Sequence, residues 1–155
     1  MKKYNVKNYV RYKEDLKRSN SRIPVKNFID YTPAELKIVF LPLVENIGRK
    51  FATSQEASGV MSINDIIQEG SFQLCKAVDK IDRLRLMQSE DIEQTLKSFL
   101  AKRIRGGIRR EIDKNRGTMR IPEHKLNEIR KDGGKDKKMV AMFFNSIFLS
   151  IDANP

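Results

Sequence analysis

Residues 63–82, INDIIQEGSFQLCKAVDKID, are the most informative stretch of this chain. Wound as an α-helix at about 100° per residue, the segment has two unlike faces. One face is an apolar stripe that includes Gly70 and consists of Ile63, Ile66, Ile67, Leu74, Ala77, Val78 and Ile81. The opposite face carries Asp65, Gln68, Glu69, Phe72 and Lys76. Because a phenylalanine among acids and amides is unfavourable in water, we expect this second face to contact a partner.

An earlier helix is predicted to begin at Thr32. Thr32 is a good N-cap, Pro33 suits the first helical position, and Glu35 completes a capping box. The apolar face that follows consists of Leu36, Val39, Phe40, Leu43, Val44, Ile47 and Phe51. Pro42 has no backbone N–H to donate, so it predicts a bend or a break within this run.

Two connectors are predicted, at residues 52–61 and 83–91. Ser62 and Asp65 then predict a cap for the helix at 63–82. Further on, a short helix is predicted from Pro122 to the pair Gly133 and Gly134. It precedes the tail 139–155, MVAMFFNSIFLSIDANP, whose thirteen mostly apolar residues are too few to span a membrane.

A long helix is predicted from Ile92 to Lys114, with an apolar stripe spaced by four: Leu96, Leu100, Ile104, Ile108 and Ile112. Four residues overshoot one turn by about 40°, so the stripe winds around the helix and the helix must cross its neighbours. Gly106 and Gly107 lie in the middle, and each costs roughly 1 kcal/mol relative to alanine. Close approach of another backbone, or a local bend, is expected to offset that cost.

The polar surface of this long helix is strongly basic. Lys102, Arg105 and Arg109 share one side, and an adjacent strip is made of Phe99, Arg103 and Arg110. An aromatic ring beside guanidinium groups can stack on an unpaired base while the charges hold the backbone. A solvated basic face with Phe99 at the edge of the core is an equally good interpretation of this pattern.

The composition predicts one compact domain and favours a polyanion as its partner. The chain has 155 residues, and 31 lysines and arginines against 20 acidic residues give a net charge of +11. This charge favours nucleic acid or an anionic membrane surface without deciding between them. No apolar run spans a bilayer and the N-terminus lacks a signal-peptide core, so a cytoplasmic location is expected. One cysteine and one histidine predict neither a disulfide nor a structural metal, and no cofactor is expected.

We therefore predict an all-α fold, a compact helical bundle, in three parts. Residues 1–31 form a basic N-terminal arm, 32–116 the core helical domain, and 117–155 a short helix and tail. The arm interleaves tyrosines with nine cations, Lys2, Lys3, Lys7, Arg11, Lys13, Lys17, Arg18, Arg22 and Lys26. It suits phosphate and base contacts as well as it suits a solvated, partly disordered segment.

Two stretches together resemble bacterial sigma factors. Residues 65–82, DIIQEGSFQLCKAVDKID, look like the helix of that family that docks on RNA polymerase. Residues 98–124, SFLAKRIRGGIRREIDKNRGTMRIPEH, look like the following promoter-opening helix with its continuation. The resemblance covers roughly residues 36–131, and it implies a bundle of the sigma domain-2 type that is not an enzyme.

The resemblance also implies roles for individual residues. Asp65, Gln68, Glu69 and Phe72 match the surface for the clamp helices of the polymerase's largest subunit. Phe99 matches an aromatic that helps capture the flipped adenine of the promoter's minus-ten element on the non-template strand. The remaining implied DNA contacts are Lys102, Arg103, Arg105, Arg109, Arg110, Arg116, Arg120, His124 and Asn127. Arg105, Arg109 and Arg110 match the face near the upstream part of that element, and His124 and Asn127 match positions near the duplex beyond it.

The chain departs from housekeeping sigma factors at the opening wedge. It has no tryptophan, and Lys102 and Arg103 stand where those members carry tandem tryptophans. Electrostatic capture of the strand must therefore supply more of the binding free energy. The segment RIRGGIRREI is closer to sigma factors of the alternative or phage-encoded type, and no segment of the chain resembles the helix-turn-helix that reads the minus-thirty-five element. SIDANP resembles the start of the family's linker.

Two other functions fit parts of the pattern. A basic module that coats nucleic acid explains the charge and leaves Phe72 and its acidic neighbours unused. A decoy that occupies the sigma site on polymerase and inhibits host transcription fits the missing tryptophans. An enzyme has little support, since no paired-carboxylate, nucleophile–base or phosphate-loop arrangement occurs in the sequence.

Overall fold

The computed structural model describes residues 6–52, 61–115, 120–139 and 141. Its main helices, in chain order, are α1 (Val6–Ser21), α2 (Pro33–Val39), α3 (Leu41–Phe51), α4 (Ile63–Val78), α5 (Arg83–Met87), α6 (Ile92–Asn115) and α7 (Glu123–Asp132). No strand occurs within those described ranges. The prediction of an all-α fold is confirmed.

The centre of the bundle is the crossing of α3, α4 and α6, the helices with the most extensive mutual packing. The winding stripe of α6 is buried along its whole length, and the fully buried side chains at the crossing are Val44, Ile66, Leu74, Leu100, Ile104 and Ile108. Gly70 makes the crossing possible. A Cβ at this position would lie 2.7 Å from Val44 Cγ1 and 3.2 Å from Ile108 Cδ1, so only a residue without a side chain lets the helices approach this closely.

The predicted caps and the predicted break are present. Thr32 and Glu35 form a capping box at α2, and Ser62 and Asp65 form one at α4. The run after Pro33 is divided at Phe40, and Pro42 lies in the first turn of α3, where its missing N–H costs no helical hydrogen bond. The prediction of a break at this proline is therefore confirmed.

The expected link at 83–91 contains a helix instead. Asp82 caps α5 by accepting from the backbone N–H groups of Leu84 and Arg85, at 3.1 and 3.2 Å. Leu86 is buried in the core, and an Arg83 guanidinium nitrogen donates to the Tyr31 carbonyl at 3.0 Å. Five residues are too few to show a helical period in the sequence, so the pattern gave no signal for this turn of helix.

The N-terminal segment is also more ordered than an arm. Residues 6–21 form α1, whose Tyr9 and Tyr12 pack against the core. Tyr9 Oη donates to Glu45 Oε1, and Arg49 Nε lies 3.5 Å from the same carboxylate. Glu45 is only 8% exposed. Partial burial and the Glu45 hydrogen bond raise the pKa of Tyr9 to about 12.

The helix α7 is attached to the end of α6. Leu126 is buried, and one guanidinium nitrogen of Arg130 donates to both carboxylate oxygens of Asp113, at 2.6 and 2.8 Å. Gly133 ends the helix with φ of 61°, as the glycine pair predicts. The connector at 53–60 and nearly all of the tail 139–155 lie outside the described residues.

Replacement of Gly70 by alanine tests the helix crossing. Gly70→Ala should lower the free energy of unfolding by about 1–3 kcal/mol, because the new methyl group meets Val44 and Ile108. Gly106→Ala is the matched control: nothing lies within 4 Å of a Cβ there, so stability should rise by up to about 1 kcal/mol. Urea unfolding measures both. Equal effects of the two substitutions would contradict the proposed packing.

Tyr9→Phe tests the attachment of α1. At neutral pH it should cost about 1 kcal/mol of stability, since the Glu45 carboxylate loses a donor. A pKa raised on folding favours the protonated phenol in the native state. The contribution of Tyr9 to the free energy of unfolding is therefore complete below about pH 10, and it is lost as the pH rises towards 12. Unfolding curves of the two proteins should converge across that window; a constant difference would show that Tyr9 does not titrate as described.

Candidate functional site

The outward face of α4, defined as Asp65, Gln68, Glu69 and Phe72, points away from the core as its sequence pattern predicts. Asp65 and Gln68 are exposed, Glu69 is half-buried, and the Phe72 side chain is 52% exposed. The apolar stripe on the other side of the same helix is buried against α3 and α6. The position of these four residues therefore follows directly from the packing of α4.

Local contacts fix the side chains of this outward face. Asp65 accepts hydrogen bonds from the Ser62 backbone N–H and hydroxyl, both at 2.7 Å. Glu69 accepts from Gln73 Nε2 at 2.7 Å. The Lys76 ammonium lies over the Phe72 ring, 4.0 Å from its centroid. The face therefore presents two carboxylates and a ring in fixed positions. Asp65 also has a structural role, because it caps the start of α4.

A groove of about 790 Å³ runs between α4 and α6. We call it the α4–α6 groove; it is lined by Gln73, Lys76, Ala77, Lys80, Phe99, Lys102, Arg103, Gly106 and Arg110. The strip of Phe99, Arg103 and Arg110 predicted from the sequence lies together in this groove. Its second wall, made of Lys76 on α4 and Lys80 in the turn after α4, was missed. The spacing of four residues between these lysines was the available signal, but the sequence does not show which helix faces them.

Phe99 belongs to both the core and the groove. Its half-buried ring packs against the core cluster and also lines the α4–α6 groove. The Arg103 guanidinium lies over the ring, with Cζ 5.2 Å from the centroid. A planar cation resting on a reachable aromatic ring gives the groove a surface on which a nucleic-acid base can stack.

A second groove of about 710 Å³ lies on the other side of α6, against α3. This α3–α6 groove contains Lys102, Arg105 and Arg109, the trio predicted to share one side, together with Leu43, Gln94, Lys97, Ser98, Ala101 and Gly106. The grouping of Arg105, Arg109 and Arg110 implied by the family resemblance is therefore divided between two grooves. Phe99 lines only the first of them, so the α3–α6 groove has the means to hold phosphates and no described aromatic ring.

The two glycines of α6 have different surroundings: Gly107 is buried against α4, and Gly106 lies between the two grooves. A Cβ on Gly107 would lie 2.1 Å from Gln73 Cγ, so the close approach that this glycine permits is that of a side chain of α4. The nearest atoms at Gly107 are therefore those of a side chain, where a neighbouring backbone or a local bend was expected. Gly106 lines both grooves and has open space where its side chain would be, so the α6 backbone is accessible there.

Most cations of the grooves lack acidic partners among the described residues. Other cations of α6 are paired: Lys97, which lines the α3–α6 groove, with Glu93, and Lys114 with Glu111 at 2.9 Å. The contact with Lys114 lowers the pKa of the Glu111 carboxyl. By contrast, ion pairs with described acidic residues are absent for Lys102, Arg103, Arg105, Arg109 and Arg110. Such uncompensated charge attracts a polyanion.

Three further predicted DNA contacts, Arg120, His124 and Asn127, line neither groove. Arg120 precedes α7, and His124 and Asn127 are exposed on it. Asn127 Oδ1 accepts a long hydrogen bond from Arg130 at 3.4 Å. Arg116 falls outside the described residues. The described ones among these positions lie outside the lining of both grooves, so a ligand bound in a groove would contact them only if it extended beyond the groove.

Chemically, the described surface is suited to binding. Helices long and apolar enough to cross a membrane are absent from the described residues. In the same part of the chain, no cluster of three or more histidine, cysteine, aspartate or glutamate side chains could hold a metal ion. Comparison of the chain with models of known protein families and with curated proteins found no match.

Proposed function

We propose that this chain is a sigma-like transcription initiation factor that binds core RNA polymerase and recognises and melts the promoter minus-ten element. The observation that carries the proposal is the adjacency of two unlike surfaces on one helix pair. The outward face of α4 presents ordered carboxylates and an exposed ring, and the α4–α6 groove beside it presents unpaired cations around Phe99. A protein partner and a single strand of nucleic acid are the ligands that suit these two surfaces.

The polymerase contact is assigned to the outward face of α4. An exposed phenylalanine ringed by polar groups is typical of a protein interface, where aromatic residues supply much of the binding free energy. Carboxylates at its edge select a partner with a basic surface. The family resemblance of the segment 65–82 implies that this partner is the clamp helices of the polymerase's largest subunit.

The DNA contact is assigned to the grooves beside α6. Opening a base step costs a few kcal/mol, and stacking of one extruded base returns about 1–3 kcal/mol. The non-template strand is placed in the α4–α6 groove, with a base near Phe99 and phosphates on the lysines and arginines. Arg105 and Arg109 in the α3–α6 groove contact the duplex backbone upstream, and Arg120, His124 and Asn127 extend that contact.

Lys102 and Arg103 adapt this mechanism to a chain without tryptophan. A guanidinium plane lying over Phe99 offers a base a stacking surface, though a smaller one than tandem indoles would offer. Strand capture then depends more on phosphate neutralisation, so opening should weaken steeply with salt. The chain itself makes and breaks no bond, and it works where the polymerase is, in the cytoplasm.

The decoy remains the second candidate. Arg103 already occupies the face of Phe99, and a protein that only blocks the polymerase needs no stacking site. A decoy shares the outward face of α4 with a sigma factor and differs in lacking any requirement for the grooves. A module that only coats nucleic acid requires the grooves and does not require the outward face of α4.

Charge reversal at Glu69 tests the docking assignment. Glu69→Lys should abolish co-purification with core polymerase and change the free energy of unfolding by less than about 1 kcal/mol, because the side chain lies at the surface and loses one hydrogen bond. Glu14→Lys makes the same change in net charge at an exposed position of α1, and this variant should bind core polymerase normally. Retention of the polymerase by the Glu69 variant would show that docking occurs elsewhere.

Replacement of Phe99 by leucine tests strand opening while keeping apolar volume in the core. Phe99→Leu should bind polymerase normally and reduce the permanganate reactivity of promoter thymines by about tenfold, the equivalent of 1.4 kcal/mol of lost stacking. Phe28→Leu is the control, since Phe28 is a partly buried ring that packs on Tyr31 and Phe40. Undiminished reactivity in the Phe99 variant would make its role purely structural.

A further inference from the structure

Lys76 belongs to both surfaces of α4. Its ammonium lies 4.0 Å from the centroid of the Phe72 ring, on the outward face. Its side chain also lines the α4–α6 groove, which does not include Phe72. The two residues are one helical turn apart, so a single flexible side chain connects the face assigned to a protein partner with the groove assigned to a strand.

The ammonium cannot serve both surfaces at once. Over the ring, it is attracted by the negative face of the π-system, and at an exposed site such a contact changes an equilibrium constant by about two- to fivefold. In the groove, the same charge would pair with a phosphate oxygen of the strand. Lysine is a compact charge on a four-carbon stem, so exchange between these positions requires only side-chain rotation.

The other lysine on the α4 wall of the groove differs in this respect. Lys80, in the turn after α4, also lines the groove, and no cation–π contact is present for it among the described residues. Arg103 rests on an aromatic ring too, but that ring, Phe99, lies inside the same groove. Lys76 is therefore the described groove cation whose position depends on the outward face.

We infer that Lys76 couples partner docking to strand binding. In the free protein its ammonium is held on the Phe72 ring and is not available to pair with a phosphate in the groove. When a protein surface covers the ring, the ammonium is released and pairs with a phosphate of the bound strand. By linkage, the strand increases the affinity for the partner by the same factor. The coupling deepens the proposed function and rests on it, since it requires a partner at Phe72 and a nucleic acid in the groove.

The test uses the full-length chain without polymerase, in four versions: wild type, Phe72→Leu, Lys76→Gln and the double variant. Phe72→Leu keeps an apolar side chain and removes the ring, so it imitates release by a partner. Fluorescence anisotropy measures the affinity of each protein for a short fluorescein-labelled single-stranded DNA of mixed sequence at low salt. Phe72→Leu should bind about two- to fivefold more tightly than wild type, and it should have no effect when Lys76 is glutamine.

An NMR measurement gives a second readout that does not depend on affinity. The Hε protons of Lys76 should be shifted upfield by the Phe72 ring in wild type, and addition of the DNA should move them towards the values of the Phe72→Leu variant. Hε protons without a ring-current shift in free wild type would overturn the inference.

The binding outcomes separate the coupling from the proposed function. If wild type binds the DNA as tightly as Phe72→Leu, the coupling alone is overturned. The same holds if the double variant binds more tightly than Lys76→Gln. Weaker binding by Phe72→Leu would mean that the ring itself contacts the strand, which also overturns it. Absence of DNA binding by all four proteins contradicts the proposed function and the coupling together.

Discussion

The close approach of α4 to α3 and α6 at Gly70 is the constraint on which the rest of the structure depends. A Cβ there would overlap Val44, so the three helices can cross at this distance only without a side chain. That crossing buries one stripe of α4, turns its opposite face to the surface, and sets the width of the groove against α6. Both candidate surfaces therefore depend on the same helix crossing in the core, since α4 supplies the outward face and a wall of the groove.

The charges around Phe99 support binding of a polyanion, because no described acidic residue pairs with Lys102, Arg103 or Arg110. Ion pairs elsewhere on α6 and α7 show that acidic partners are available to this chain, yet the cations around Phe99 have none among the described residues. Clustered like charges destabilise a compact state until a polyanion binds. The Lys76 ammonium lies on the Phe72 ring. In the coupling that we infer, its release when the outward face is covered would make the groove more positive.

The sequence predicted those parts of the structure that depend on local rules. The capping boxes at Thr32 and Ser62, the break near Pro42 and the full length of α6 follow from capping chemistry and helical periodicity. Features that depend on neighbours were not predictable. The five-residue α5 is too short to show a period, and Tyr9 orders α1 through a carboxylate 36 residues away. The two strips on α6 were recognised, but their separation into two grooves and the lysine wall of α4 depend on which helix packs on each side. The family resemblance grouped Arg110 with Arg105 and Arg109, because linear motifs do not show which helix packs on each side of α6.

The central claim is that the two surfaces act together on a promoter, and the most direct measurement is sequencing of transcript 5′ ends. Core RNA polymerase would transcribe a pool of genomic fragments with and without the full chain. A sigma-like factor predicts new, discrete start sites that share a minus-ten sequence and appear only when the chain is present. Lower output at unchanged positions would identify a decoy, and unchanged output and positions would identify a module that coats nucleic acid; either result would contradict the account.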